Sequence, residues 1–233
     1  MNKVMVFLRG APGCLRDDFQ LSMLVLAREG LPAPLCAEPI TLNLVRLPPD
    51  KLPYRPPSDA TVGQRPEYDV IAEIWGARNP LDIARDFRQA VGDQVSAFHA
   101  YAVTATEIYH RRDFARGQPS AGIKLIGRLM FHADMPDSAV RRSWALHADL
   151  AARVHVGSAR YVQNWVDQVL LDASPPTRGM PIMHFPSEQE FFEAFVDSPR
   201  GMQEIIQDTS HFVAGGPRCY TTEYIIRGPG AGT

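Results

Sequence analysis

The chain has 233 residues, of which 45% are hydrophobic and 21% charged, and its formal net charge is −2. Lys and Arg are scattered along it, so neither the net charge nor a basic run points to a nucleic-acid partner. No apolar stretch approaches the roughly 18 residues of a membrane-spanning helix, and the N-terminal apolar run is too short for a signal peptide. We therefore expect a globular protein with no nucleic-acid and no membrane partner.

The three cysteines, Cys14, Cys36 and Cys219, are far apart and odd in number. This spacing favours free thiols in a reducing compartment, so the expected location is cytoplasmic. The chain has no Cys-x-x-Cys pair and no His-x-x-x-His pair. The sequence therefore predicts no metal site.

The first half of the chain alternates strands and helices. A helix is predicted over residues 15–29 and ends at Gly30, and Asn79-Pro80 opens a second helix. A further helical piece is predicted over residues 93–101. Short apolar runs predict strands at residues 3–9, 39–47, 68–76 and 101–109. The resulting order is β-α-β-β-α-β.

A proline-rich segment, residues 48–66, interrupts this half. Proline fixes φ and removes hydrogen-bond donors, so the segment is predicted to be an extended loop. Loops of this length in compact domains often serve as lids or interface arms, and the sequence leaves the choice open.

The second half repeats the order after a linker at residues 110–121. Strands are predicted at residues 122–131, 158–171, 180–185 and 218–226. Helices are predicted at residues 136–155, at 188–199 after a Ser187–Glu190 capping box, and at 201–213.

The two halves match piece by piece, and TATEIY and TTEYII end equivalent strands. The period of about 115 residues indicates duplication of a whole domain. We predict an α+β protein of two ferredoxin-like units, 1–115 and 120–228, whose sheets pack face to face as a pseudo-dimeric α+β barrel.

The helix at residues 136–155 carries the most informative pattern. Asp137 or Ser138 can cap its start, and Gly157 is expected to end it in a left-handed conformation. Its inward face, at steps of three and four residues, consists of Val140, Trp144, His147, Ala151 and Val154. His147 therefore points inward, one turn after Trp144.

The segment RRSWALHADLAARVHVGSARYVQN resembles the EthD type of dimeric α+β barrel proteins, which carry Trp-x-x-His on a helix and a Tyr-x-x-Asn-like strand after it. Trp144, His147, Tyr161 and Asn164 match those positions. The resemblance implies cofactor-free proton-transfer chemistry on an enolisable aromatic, lactone or polyketide-type substrate. The first half has Phe19 and Ser22 near the equivalent helix positions and no Tyr-x-x-Asn. The resemblance therefore places the working pocket in the second half.

His147 is the predicted general acid or base, because imidazole titrates near neutral pH. Tyr161 and Asn164 are predicted to orient substrate or stabilise developing charge. Three residues apart on a regular strand, they face opposite sides, so a bulge is needed if both serve one pocket. The alternative is that His147 is an ordinary core histidine.

Further candidates come from the same half. His184 is a second candidate catalyst, or else an edge histidine. Asp208 and His211, three apart on a helix, can form a proton relay or lie on a solvated face. Arg160 can hold a substrate carboxylate. Trp144 and Trp165 complete the candidate substrate-binding set, although the core alone explains a buried tryptophan.

The sequence favours an enzyme, an isomerase or lyase that needs neither a metal nor an organic cofactor. The alternatives are a cofactor-free or haem monooxygenase of the same superfamily, or a non-catalytic module that binds a hydrophobic metabolite. In each case the expected partner is a small molecule, and the chain can be a monomer or a homodimer.

Overall fold

A computed structural model describes residues 2–53, 66–171 and 173–228. These residues form a closed barrel of eight strands in which every neighbouring pair is antiparallel. The barrel strands are β1 Asn2–Gly10, β2 Ile40–Arg46, β3 Val70–Gly76, β4 Val95–His110, β5 Ile123–Gly127, β7 Arg160–Val169, β8 Gly179–Phe185 and β10 Arg218–Arg227. Two short strands, β6 Met130–Phe131 and β9 Val213–Gly215, pair outside the barrel.

The strand order is the same in both halves of the barrel. It runs β4-β1-β3-β2 in the first half and β10-β5-β8-β7 in the second, so each half places its fourth strand beside its first. Hydrogen bonds between β2 and β10 and between β4 and β7 join the halves and close the barrel. The predicted mixture of helices around a sheet-rich core is confirmed.

Helices cover the outside of the barrel. The first half contributes α1 Arg16–Val25, which continues as one π-helical turn, and α2 Pro80–Val91. The second half contributes α3 Asp137–Val154, α4 Glu188–Glu193 and α5 Pro199–Ser210. None of the described helices combines the length and the hydrophobicity that crossing a bilayer demands.

Alternation along the strands divides the core into layers. On β1, Met5 and Phe7 point into the barrel, whereas Val4 and Val6 pack under the helices of the first half. The barrel centre is therefore apolar, and a separate core lies between sheet and helices in each half.

Several local predictions were wrong. Residues 95–101 belong to β4 rather than to a helix, because their pairing with β1 overrides the local pattern. The predicted strand at residues 122–131 is broken at Arg128, and only Ile123–Gly127 joins the barrel. The helix α3 has Pro136 at its N-cap position and no side-chain cap.

Gly157 does not have the predicted left-handed backbone. Glycine is needed here because the backbone of Gly157 lies close to α4. A Cβ atom at this position would lie 2.7 Å from the carbonyl oxygens of Glu190 and Ala194. Its own N–H donates to the Ala194 oxygen at 2.8 Å. Most of the predicted proline-rich loop, residues 54–65, lies outside the described residues.

Candidate functional site

The outer layer of the second half is an aromatic cluster between α3, α5 and β7. Its members touch ring to ring, with centroid separations of 5.8 Å for Phe131 and Trp144 and 6.4 Å for Trp144 and Trp165. Phe212 closes the cluster at 6.1 Å from Phe131. The helix periodicity that predicted an inward Trp144 is confirmed, since this side chain is buried.

His147 lies at the edge of this cluster and is paired with a carboxylate. Its Nδ1 lies 2.7 Å from Oδ2 of Asp208 on α5, and the His147 side chain is 9% exposed. Burial lowers the pKa of His147, and the hydrogen bond and charge of Asp208 oppose that effect only in part. The ring is therefore neutral at pH 7. The Nδ1–H group donates its hydrogen bond to Asp208, so Nε2 carries no proton and is free to accept one.

Tyr161 faces the same layer from β7. Its hydroxyl accepts hydrogen bonds from Trp144 Nε1 at 3.3 Å and from Gln163 Nε2 at 3.1 Å, and Gln163 also donates to the Trp144 carbonyl. Burial raises the pKa of Tyr161, so the phenol keeps its proton. With two donors directed at the oxygen, the phenolic hydrogen is the group left to donate.

Strand alternation separates the other candidates of β7 from this layer. Tyr161, Gln163 and Trp165 point toward the helices, whereas Arg160 and Asn164 point into the barrel. The Asn164 side chain accepts from Lys3 Nζ at 2.9 Å and donates to the Met180 carbonyl. The structure therefore does not bring Tyr161 and Asn164 into one pocket.

His184 also lies inside the barrel rather than at an edge. Its Nε2 lies 2.9 Å from the Ala121 carbonyl, so Nε2 carries the proton and Nδ1 can accept from Arg160 at 3.4 Å. The ring is stacked on Phe114 at 3.9 Å, and burial lowers its pKa.

The remaining candidates lie at the surface or within the aromatic cluster. His211 is exposed, and Asp208 bonds His147 instead of this predicted partner. Trp165 is buried, stacks on Phe131 at 6.0 Å and lies under the Arg141 guanidinium at 4.0 Å.

Sequence reasoning missed a charged cluster at one end of the barrel. Lys3 Nζ lies 2.6 Å from Glu73, and Lys124 bridges Glu73 and Glu223, at 2.5 Å to the latter. Arg160 forms a further ion pair with Glu223. A signal was available on two of these strands, because Glu73 and Lys124 are each the single charged residue of an otherwise apolar run.

The basic side chains of this cluster keep its two carboxylates ionised. Burial alone raises the pKa of Glu73, but Lys124 and Lys3 outweigh it and hold that pKa at about 2. In the same way, Lys124 and Arg160 overcome burial and hold the pKa of Glu223 well below its usual range. Burial lowers the pKa of Lys3 more than Glu73 raises it.

The fold of the chain is shared with several solved structures, although the sequence is not similar to that of known families. No protein-family model matches the chain, and no curated protein matches it. Among solved structures, a protein named as a monooxygenase from Fusobacterium nucleatum aligns with a TM-score of 0.57 and 9% identity, over 98% of this chain and 94% of that one. An anthrone oxidase-like protein gives 0.56 and 8%, over 95% and 90%. A chlorite dismutase variant from Candidatus Nitrospira defluvii gives 0.51 and 8%, over 95% and 90%. The chain has the architecture of dimeric α+β barrel proteins.

These comparisons contradict the isomerase or lyase predicted from the sequence. The matched structures carry names of oxygen or chlorite chemistry. They favour the alternative kept open above, a cofactor-free or haem monooxygenase.

The residues around His147 do not fit a haem. An axial histidine needs a ring nitrogen directed into a flat slot beside it. Here the imidazole meets Tyr161 and Phe212 edge to face, at centroid distances of 6.3 and 5.9 Å. Trp144 fills the next position of the same layer. On the sides of the imidazole that meet Tyr161 and Phe212, the described side chains leave no flat slot for a macrocycle.

Proposed function

We propose that the protein is a cofactor-free oxygenase of an electron-rich, enolisable aromatic, of the anthrone type, and that His147 is its base. The observation that carries this proposal is the 2.7 Å contact between His147 Nδ1 and Asp208 at the edge of a buried aromatic layer. The anthrone oxidase-like structure and the structures named as monooxygenases support the reaction class.

The reaction starts with loss of a proton from the substrate. His147 is neutral, so Nε2 takes the proton from the activated CH₂ group, and Asp208 stabilises the imidazolium that forms. The aromatic carbanion is electron-rich enough to pass an electron to O₂. Overall, the CH₂ group and one O₂ give a carbonyl and one water, so no external reductant is needed.

Two further residues act on the substrate oxygen and on its approach. The fixed Tyr161 hydroxyl donates to the enolate oxygen as charge develops there. The substrate presents its CH₂ edge to His147 from the side of Asp208, whose side chain is 36% exposed, and the rest of its ring system stays outside the packed aromatic cluster. The clustered Trp and Phe rings lie behind His147 and keep water from that side of the reacting carbon.

We also infer that the chain is a tandem duplication of EthD-type ferredoxin-like units, residues 1–115 and 120–228, whose sheets face each other across the apolar barrel interior. The repeated strand order supports this inference. In this view the first unit keeps the scaffold and stands where a partner subunit would in a dimer.

Oxygen uptake with anthrone and its hydroxylated derivatives tests the proposed activity, measured above the uncatalysed rate together with quinone formation. We expect His147→Asn to lower the rate by about 100-fold or more while the melting temperature stays near that of the wild type. His211→Asn, an exposed histidine three residues after Asp208, is the control and should keep full activity. A folded His147→Asn protein that is fully active, or a wild-type protein that turns over none of these substrates, contradicts the proposal.

A further inference from the structure

The barrel has a second polar region, on the opposite face of β7 from His147. The middle of the barrel is apolar, but at one end the side chains of Lys3, Glu73, Lys124 and Glu223 are at most 3% exposed. Arg160 joins them with a side-chain exposure of 14%. These five groups come from five different strands and form one connected network.

The network has an excess of positive charge. It contains three cationic side chains, Lys3, Lys124 and Arg160, against two carboxylates. Within the described part of the chain, the Nε atom of Arg160 is buried and has no hydrogen-bond partner. A buried cationic donor without a partner is costly, because it has lost its water and gained no acceptor. An anion beside Arg160 would remove that cost.

A cavity lies where that anion would bind. Its volume is about 360 Å³, which is within the range of small-molecule sites. Lys3, Lys124 and Arg160 line it together with apolar and aromatic side chains, among them Trp75 and Phe114. The Arg160 guanidinium lies 5.3 Å from the centre of the Phe114 ring. Charge therefore adjoins a flat hydrophobic wall.

The exposed acidic residues at the mouth of the cavity do not cancel the positive charge of the buried network. Glu107 and Asp113 are there, but their side chains are 53% and 102% exposed, and both lie 3.3 Å from His110. Arg116 adds a cation at the same mouth. Exposed charges are screened by water and salt, whereas the buried excess is not.

We propose that this end of the barrel is a binding site for a small aromatic monoanion, whose carboxylate pairs with Arg160 and whose ring packs between Trp75 and Phe114. The site is separate from His147, because Arg160 and its neighbour Tyr161 point to opposite faces of the sheet. The anion also relieves the repulsion among Lys3, Lys124 and Arg160.

Calorimetric titration with benzoate tests the site, with benzamide as a neutral compound of the same shape. Benzoate should bind at millimolar concentration or below, and benzamide at least tenfold more weakly, because a charged hydrogen bond contributes about 1.5–3 kcal/mol. Arg160→Gln should weaken benzoate by the same factor. Arg85→Gln, which removes an exposed arginine on α2, is the matched control.

A second variant keeps the test decisive if Arg160→Gln does not fold. Ala105→Phe adds a ring to the lining of the cavity and keeps every charged residue of the network, and it should abolish benzoate binding. His147→Asn should leave benzoate binding unchanged, which separates this site from the proposed oxygenase site. Equal affinity for benzoate and benzamide, undiminished binding to Ala105→Phe, or no benzoate binding by the wild type overturns the proposal.

Discussion

The two halves of the barrel share one architecture but fill their outer layers with different chemistry. In the first half the second strand, β2, directs aliphatic side chains at the helices, and in the second half the equivalent strand, β7, directs polar and aromatic ones. These residues are Ile40, Leu42 and Leu44 on β2 and Tyr161, Gln163 and Trp165 on β7. The helices differ in the same way, since the buried residues of α1 include Phe19 and Met23 and those of α3 include Trp144 and His147.

The difference between the halves lies in the outer layers. The outward residues of one strand and a few positions on two helices change, while the strand order and the inward apolar centre stay the same. In such a fold the residues that hold the barrel together are separate from the residues of the outer layers. The same barrel architecture can therefore host unrelated functions.

Exchanging strand residues between the halves should have the largest effect. Leu42→Gln puts an amide into the aliphatic layer of the first half, where Leu42 is fully buried. The substitution removes apolar packing and buries an amide among aliphatic side chains that offer it no hydrogen bond. We therefore expect the free energy of unfolding to fall by about 4 kcal/mol. Urea denaturation measures the change.

The reciprocal variant, Gln163→Leu, should cost only about 1 kcal/mol, because Tyr161 keeps the indole donor of Trp144 and the new side chain is of similar size. If both variants cost the same, the outer layers of the two halves tolerate a polar side chain equally well, and the contrast between them is wrong.

Acid should weaken the second half before the first. Burial lowers the pKa of His155 to about 4, from an ordinary value of 6.5. Between these two pH values His155 binds a proton in the unfolded chain but not in the folded one. The contribution of this residue to the free energy of unfolding is therefore fully present above pH 6.5 and is lost as the pH falls toward 4. The loss from this residue is about 3 kcal/mol. Burial also lowers the pKa of His99 in the first half, but this ring contacts Tyr68 inside the barrel and is not part of the aliphatic cluster under the helices.

Stability measured between pH 7 and pH 4 in wild type and His155→Asn tests this assignment. The amide keeps a donor for the Phe195 carbonyl, which His155 Nδ1 contacts at 2.7 Å, but it cannot be protonated. The slope with pH should become shallower in this variant and stay unchanged in His211→Asn. Hydrogen exchange at pH 4.5 should show α3 opening before α1. Equal slopes in all three proteins would remove His155 as the cause.

Periodicity predicted much of the fold because the strands and helices here carry strong local patterns. The apolar run around Val4 and the helical spacing from Val140 to Val154 each reflect a surface that must be buried, and both elements form where expected. The segment beginning at Val95 failed because its pairing with β1 is a long-range contact that no local pattern records.

The candidate site was predictable only as separate residues. The inward direction of His147 follows from helix geometry, but its partner Asp208 lies 61 residues away and was paired with His211 from sequence. Strand parity already placed Tyr161 and Asn164 on opposite faces. Their actual surroundings depend on how the barrel closes, which brings Lys3 from the far end of the chain onto Asn164.

The smallest effect should come from a feature that both halves share. The last α-helix of each half, α2 and α5, begins with a capping residue followed by proline, Asn79-Pro80 and Ser198-Pro199. Asn79 Oδ1 accepts from the Leu81 N–H at 2.9 Å, and Ser198 Oγ accepts from the Gly201 N–H at 3.0 Å. Because the same interaction is lost, Asn79→Ala and Ser198→Ala should each lower the free energy of unfolding by about 1 kcal/mol.

The control for the shared caps is Ser138→Ala, an exposed serine in the first turn of α3, where no side chain caps the helix. It should change stability by less than about 0.5 kcal/mol. The measurement is the urea midpoint at an unchanged denaturant slope, since a changed slope would mean that the unfolded state had been altered as well. If Ser198→Ala costs several times more than Asn79→Ala, the halves differ in their helix starts too, and the contrast between them is not confined to the outer layers.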